Sequence, residues 1–216
     1  MTDWAAWGTS VGTLVLAGAT FAAVRSASRS TQIAERALLA GMRPVLATSR
    51  HADSAEPVQF ADGRAFDVGS GRPLVHQANG VIYLALPLRN VAAGIAQLRG
   101  YHLEPQSAEA VRQDPLGPAR HRRGDASPDP STFAEQQRDL YVPAGDPGFW
   151  QAALRDPSSE LYTNMSDAIR SGGRITIDLL YGDHDGGQPT ITRFVLLPAP
   201  DHEWRCDVTR HWSLRP

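Results

Sequence analysis

The chain has 216 residues, 21 basic and 23 acidic side chains, 16 Pro and 19 Gly, and is 42% apolar. That composition suits one globular domain plus a small extra element; it excludes a helical bundle and sets up no whole-chain field for nucleic acid. Every basic side chain is Arg and the one thiol is Cys206, which excludes lysine Schiff-base or Walker-A chemistry, an internal disulfide framework and a multi-cysteine metal site.

Residues 4–24 carry no ionisable side chain. At 1.5 Å per residue a helix of that length reaches roughly 30 Å, the hydrocarbon thickness of a bilayer. Trp4 and Trp7 suit an interface, where an indole keeps its N–H wet. A transmembrane helix is therefore expected at 1–24. A cleaved signal peptide is disfavoured because Met1-Thr2-Asp3 offers no basic n-region. A buried helix of a soluble domain is disfavoured by the length of the uncharged run.

Arg25, Arg29, Arg36 and Arg43 follow the span, while Asp3 alone precedes it. Cationic flanks stay inside, so a single-pass topology is expected at the plasma membrane, N-terminus outside and the rest cytoplasmic. The lone Cys206 agrees with a reducing compartment. Arg25 and Arg29 are the membrane-flanking basic pair, placed to meet anionic headgroups. Gly8 and Gly12 form a G-x-x-x-G spacing through which two copies could pack as a homodimer, although an ordinary Gly/Ala-rich span is the favoured reading. The G-x-S-x-G match at 8–12 is set aside, since a nucleophile elbow needs a strand before an exposed turn.

Residues 27–42 read as a helix stopped by Arg43-Pro44, giving a helical stalk at 25–43. Strand texture starts at 45–48. Residues 81–88 are apolar on both faces, as in a central strand, with Pro87 expected at its end. Residues 95–103 read as its partner, entered through a turn at Gly94. The Pro-rich stretch 104–135 reads as a long mobile loop. A strand is expected at 137–142, and a turn at Asp146-Pro147-Gly148 leads into the run 149–154.

Asp156-Pro157 reads as a helix start, with Leu161, Met165, Ala168 and Ile169 on the buried face and Gly172-Gly173 as the stop. In 174–181 the inward set is Ile175, Ile177, Leu179 and Tyr181. Residues 182–188 make a hairpin loop, and 190–197 pairs back with a phase blurred between Ile191 and Phe194. In 203–212, Trp204, Cys206, Val208 and Trp212 face one way, and Glu203, Arg205, Asp207, Thr209 and His211 the other. The pattern predicts a mainly β fold: an antiparallel β-sandwich over 44–216 with one inserted helix.

Chemistry-bearing groups are sparse. His202, Cys206 and His211 are the most metal-like tract, but strand alternation splits them between faces and sets the thiol in the core. Asp183-His184-Asp185-Gly186 resembles a calcium loop without its later ligands, so a hairpin turn is expected. Gly69-Ser70-Gly71 lacks the strand–helix setting of a dinucleotide loop. Arg120-His121-Arg122-Arg123 reads as a solvated basic knot. His51, His76 and His102 have no nucleophile linked to them. No catalytic residue, metal ligand or cofactor is expected.

The stretches Arg43-Pro44-Val45-Leu46, Leu88-Arg89-Asn90-Val91-Ala92-Ala93-Gly94-Ile95-Ala96, Asp178-Leu179-Leu180-Tyr181-Gly182-Asp183 and Cys206-Asp207-Val208-Thr209-Arg210-His211-Trp212 carry a resemblance. The chain resembles small single-span membrane proteins of high-GC actinobacteria with a C-terminal all-β, immunoglobulin-like domain. It departs at Ala92-Ala93, where the pattern often has Gly-Asn. The resemblance implies topology and supplies no activity. The function expected is a non-enzymatic interaction or scaffold module, with the lipid bilayer and another protein as partners. The alternatives are an enzyme with a loop-built site, using His184 or His211, and an extracytoplasmic ligand-binding domain if the topology is inverted.

Overall fold

The computed structural model describes residues 4–115, 126–185, 187–200 and 203–214, with backbone alone at 4–17, 19, 36 and 39. The chain divides into two compact units, Met1–Gly41 and Met42–Pro216.

The first unit is α1 (Trp4–Gly41), one unbroken helix of 38 residues. The segments read as span and stalk are thus one element at the level of backbone. It stops before Arg43-Pro44, because a residue preceding proline is pushed out of helical geometry. Ser28 and Thr31 satisfy their hydroxyls on the carbonyls of Val24 and Ala27, at 2.9 and 3.0 Å. Phe21, Val24, Ile33 and Leu38 are exposed. Among the described residues, no helix is long and apolar enough to cross a membrane. Most of the run 4–24 lies outside the described side chains, including Trp4 and Trp7.

The second unit is mainly β, with antiparallel sheets. In chain order it holds β1 (Leu46–Thr48), β2 (Glu56–Gln59), β3 (Ala65–Val68), β4 (Leu74–Ala78), β5 (Val81–Asn90) and β6 (Ala96–Gln106). Then come α2 (Ala108–Gln113), a 3-10 turn at Pro130–Thr132, β7 (Ala134–Val142), β8 (Pro147–Leu154) and α3 (Glu160–Ser171). The chain closes with β9 (Arg174–Gly182), β10 (Thr190–Pro198) and β11 (Trp204–Ser213).

One sheet is built on β5, paired with β8 on one flank and with β4 and β1 end to end on the other. The second runs β11-β10-β9-β6-β7. Their inner faces share one core: Ile82, Leu84, Leu86 and Leu88 of β5 meet Ile175, Ile177 and Leu179 of β9 and Phe194 of β10. The hairpin β2-β3 covers the outer face of the first sheet, where Val58, Phe60 and Val68 pack on Tyr83 and Ala85. Strand β5 is therefore buried on both faces, which explains its unbroken apolar sequence.

Five expectations are corrected. Pro87 lies inside β5, not at its end. Its carbonyl accepts Ser49 N–H at 3.0 Å, so its missing N–H faces the same flank, at the gap where β4 stops (Leu74↔Ala85) and β1 begins (Thr48↔Leu88). The Ser49–Pro87 pair keeps one of its two possible ladder bonds, at the place where β1 ends.

Strand β6 is not the partner of β5; it pairs β9 and β7 in the other sheet. Gly94 turns the chain between sheets, and a Cβ there would lie 1.7 Å from the Met42 carbonyl oxygen. The stretch 104–135 is not one loop, since the described part holds the end of β6, α2, the 3-10 turn and the start of β7.

Helix α3 starts at Glu160 with Ser159 as N-cap, its hydroxyl accepting from Tyr162 N–H. Asp156 instead closes a turn onto Ser158. The shift replaces Leu161, which is exposed, by Tyr162 on the buried face beside Met165 and Ala168. Gly172 caps the end at φ 67°, the left-handed geometry that favours glycine.

The irregularity in the last hairpin falls on β11: Arg193 pairs Arg210 and Phe194 pairs Val208, leaving Thr209 extra. Past the bulge the alternation reverses. His211 joins the face of Cys206 and Val208, and Trp212 turns outward between Arg193 and Arg210, whose guanidinium carbons lie 5.2 and 5.1 Å from its ring centroid.

Candidate functional site

Strands β7 and β8 are the free edges of their sheets on one side of the unit, and they lie beside each other there. A cleft of about 180 Å³ opens along this seam. Its irregular wall comes from β7. The β6–β7 ladder runs from Ala96↔Val142 to Leu98↔Leu140 and resumes at Gly100↔Glu135, leaving residues 136–139 outside it. Bulges of this kind re-aim side chains and blunt an edge against strand addition.

The cleft is lined by Tyr101 of β6, Glu135, Gln136 and Arg138 of β7, Gln151 of β8 and Arg155 just beyond it. The amide oxygens of Gln136 and Gln151 are buried and have no hydrogen-bond partner among the described residues. Gln151 is 7% exposed, in a stretch whose neighbours Trp150 and Ala152 belong to the core. A buried acceptor left unpaired costs about 1–3 kcal/mol.

The surrounding groups are fixed. Tyr101 meets the buried Trp150 ring edge-on, centroids 5.2 Å apart, and burial pushes its phenol above the ordinary range. Arg138 donates to the Gln59 carbonyl at 3.1 Å. Asp62, in the β2-β3 turn, accepts from Tyr83 at 2.5 Å and pairs with Arg155 at 3.1 Å. The Tyr83 hydroxyl first, and Arg155 after it, hold the Asp62 carboxyl down at about 2. The hairpin is thereby pinned to β5 and to the end of β8, and Arg155 is neutralised beside the cleft.

The groups singled out in the sequence lie elsewhere. Gly8 and Gly12 lie where backbone alone is described, in α1. Arg25 and Arg29 are exposed on the same helix. The basic knot 120–123, His202 and Gly186 lie outside the described residues. Cys206 is half-buried, and burial first, then Asp207, pushes its thiol well above the ordinary range, the inert state of a core cysteine. Among the described residues no group of three or more His, Cys, Asp or Glu could hold a metal ion.

Asp183 accepts Gly187 N–H at 2.5 Å within the β9-β10 hairpin turn. Gly69-Ser70-Gly71 is a tight turn, Ser70 and Gly71 at φ 53° and 72° and Arg72 N–H closing on Gly69 O at 3.0 Å. His51 contacts the Ser70 carbonyl, His76 packs on Phe66 and His102 on Phe133. The structure does not gather these three histidines on one element.

Sequence reading did not single out Tyr101, Gln136, Gln151, Arg138 or Arg155. Two signals were present: the all-polar run 136–139 inside a strand, and Gln151 interrupting the apolar run 149–154. In comparison with known proteins, no protein family, curated protein or solved structure matches the chain.

Proposed function

We propose that the chain is a membrane-tethered, non-enzymatic interaction module, in which α1 anchors an immunoglobulin-like β-sandwich that acts by contact with another protein. The observation that carries this reading is the pair of large apolar side chains Phe21 and Val24, exposed at the end of the uncharged run 4–24 on a helix that is a compact unit by itself. Each such side chain gains about 1.5–3 kcal/mol on leaving water, so this helix calls for apolar surroundings. Lipid is the occupant that also suits the uncharged run 4–24 and the exposed Arg25 and Arg29 that follow it. The described part of the helix is not by itself long and apolar enough to cross; the uncharged sequence of residues 4–17 supplies the remaining length.

The charge asymmetry supports a cytoplasmic β unit. Tethering confines the module and its partner to two dimensions and raises their effective concentration without any catalytic group. The β7/β8 cleft favours one second reading, an extracytoplasmic ligand-binding domain with inverted topology.

The test is ultracentrifugation of native-host lysate containing the full chain, without detergent, joined to C-terminal reporter fusions active on one side of the membrane. Recovery in the pellet with a cytoplasmic reporter signal is expected. Recovery in the aqueous fraction would overturn the tether, and an external reporter signal would select the inverted reading.

A further inference from the structure

We propose that the β7/β8 cleft is a binding site for a small neutral polyhydroxyl molecule, of the size and chemistry of a single sugar ring. The inference concerns the β unit and stands whether or not α1 meets a bilayer.

The first argument is hydrogen-bond supply. Gln136 and Gln151 come from edge strands of opposite sheets, line the same cleft, and each has a buried amide oxygen with no donor among the described residues. Gln151 is 7% exposed. Folding leaves few buried polar atoms unpaired, and two acceptors converging on one cleft call for a donor-rich guest. Both oxygens are buried in residues that line the cleft. The last torsion of a glutamine is broad and two-fold, so a modest amide rotation presents either oxygen to a ligand hydroxyl.

The second argument is charge. The guanidinium of Arg155 is paired with Asp62, and Arg138, which holds the Gln59 carbonyl, shares the lining with Glu135. With one carboxylate for each guanidinium the lining is near neutral, which favours neither a phosphate nor a free cation. Glu135 adds a further acceptor.

The third is shape. About 180 Å³ is several times the space of one water, yet below the 300–1,000 Å³ usual for drug-sized ligands. Tyr101, locked against Trp150, supplies an aromatic wall for the apolar C–H face of a ring whose hydroxyls point to the amides. An extended peptide fits poorly, because the bulge at 136–139 removes the ladder positions that strand addition would use.

The experiment is calorimetric titration of the purified full chain with methyl α-glucopyranoside, methyl α-mannopyranoside and methyl β-galactopyranoside. Inorganic phosphate and arginine methyl ester serve as the anionic and cationic arms. At least one pyranoside is expected to bind, with affinity falling about tenfold in Gln151→Leu and in Gln136→Leu. Neither charged probe is expected to compete. Removing an unpaired amide should leave the melting temperature unchanged or higher. Should Gln151→Leu fail to fold, Gln136→Leu, in the bulge and outside the core, decides alone. No heat with any pyranoside at millimolar concentration, binding unchanged in Gln136→Leu, or binding of a charged probe alone overturns the proposal.

Discussion

The hydroxyl of Thr192 lies 2.7 Å from Nδ1 of His211, the two facing each other across β10 and β11. The same hydroxyl lies 2.7 Å from the phenol of Tyr181, which accepts Leu46 N–H at 3.1 Å. In the neutral tautomer that carries its proton on Nε2, one direction satisfies both hydroxyls: Tyr181 donates to Thr192, and Thr192 donates to Nδ1. A protonated imidazole must donate from Nδ1, so Thr192 then accepts from both His211 and Tyr181 and its own proton loses this acceptor. The relay, from surface histidine to the start of β1, exists because the bulge at Thr209 turns His211 onto this face.

Stability should therefore fall in mild acid. Burial holds the His211 imidazole below its ordinary value of 6.5. Below 6.5 the unfolded chain takes up a proton that the folded ring resists. This contribution is complete above that pH and is lost as pH falls toward the lower folded value. Urea denaturation at about pH 7.5 and 5 should show the loss, and His211→Gln should lessen it. An unchanged pH slope in that variant would rule the relay out as its source.

Much of the sheet architecture could be read in the sequence where one physical rule dominated. Ile175, Ile177, Leu179 and Tyr181 alternate because β9 has one core face, and β5 is continuously apolar because the β2-β3 hairpin covers its other face. That hairpin was not foreseen, since two four-residue strands carry too little pattern to register. The phase of α3 was missed because Asp156 and Ser159 are both competent caps, and only tertiary burial of Tyr162 selects the second. The face of Trp212 was missed because a bulge reverses alternation without leaving a glycine to mark it. The cleft was hidden for a deeper reason. Gln136 and Gln151 lie on consecutive strands that enter different sheets, and nothing in the sequence shows that these strands meet edge to edge or that the two oxygens go unpaired.

Asn90 should be among the costliest polar residues to replace. Its side chain is fully buried. Its oxygen accepts Val45 N–H at 3.3 Å and Ala92 N–H at 3.2 Å, while its amide nitrogen donates to Gly94 O and to Val142 O, the latter at 3.0 Å. One side chain thus ties the entry to β1, the crossing between sheets and the end of β7. Asn90→Ala should lose about 2–4 kcal/mol by chemical denaturation, from four backbone groups left short of partners. A loss below about 1 kcal/mol would show that water replaces the knot.

Asp62 should shape the far acid limb. Its carboxyl is held down to about 2 from 3.8, chiefly by the Tyr83 hydroxyl and then by Arg155. A depressed carboxyl contributes stability that is present above 3.8 and is lost as pH falls through about 2. Asp62→Asn should flatten the stability curve between about pH 4 and 2 and loosen the β2-β3 hairpin. Faster hydrogen exchange at Val58 and Phe66 than at Leu84 would report that local release. Uniform exchange across all three would argue against it.

The ion pairs should divide by burial, not by length. Asp178 and Arg193 are cross-strand partners with side chains 4% and 15% exposed, joined through two bonds of 2.7 and 2.6 Å. Arg72 and Glu203 are joined at 2.6 Å with side chains 56% and 48% exposed. In water the Coulomb gain of the exposed pair is offset by ordering two long side chains, so Glu203→Gln should cost less than about 1 kcal/mol. Asp178→Asn leaves a guanidinium sequestered against Trp212 without its carboxylate, and should cost about 3–5 kcal/mol. Equal losses in the two variants, measured by denaturation at matched salt, would mean that the outer face of β9 and β10 is wetter than its packing indicates.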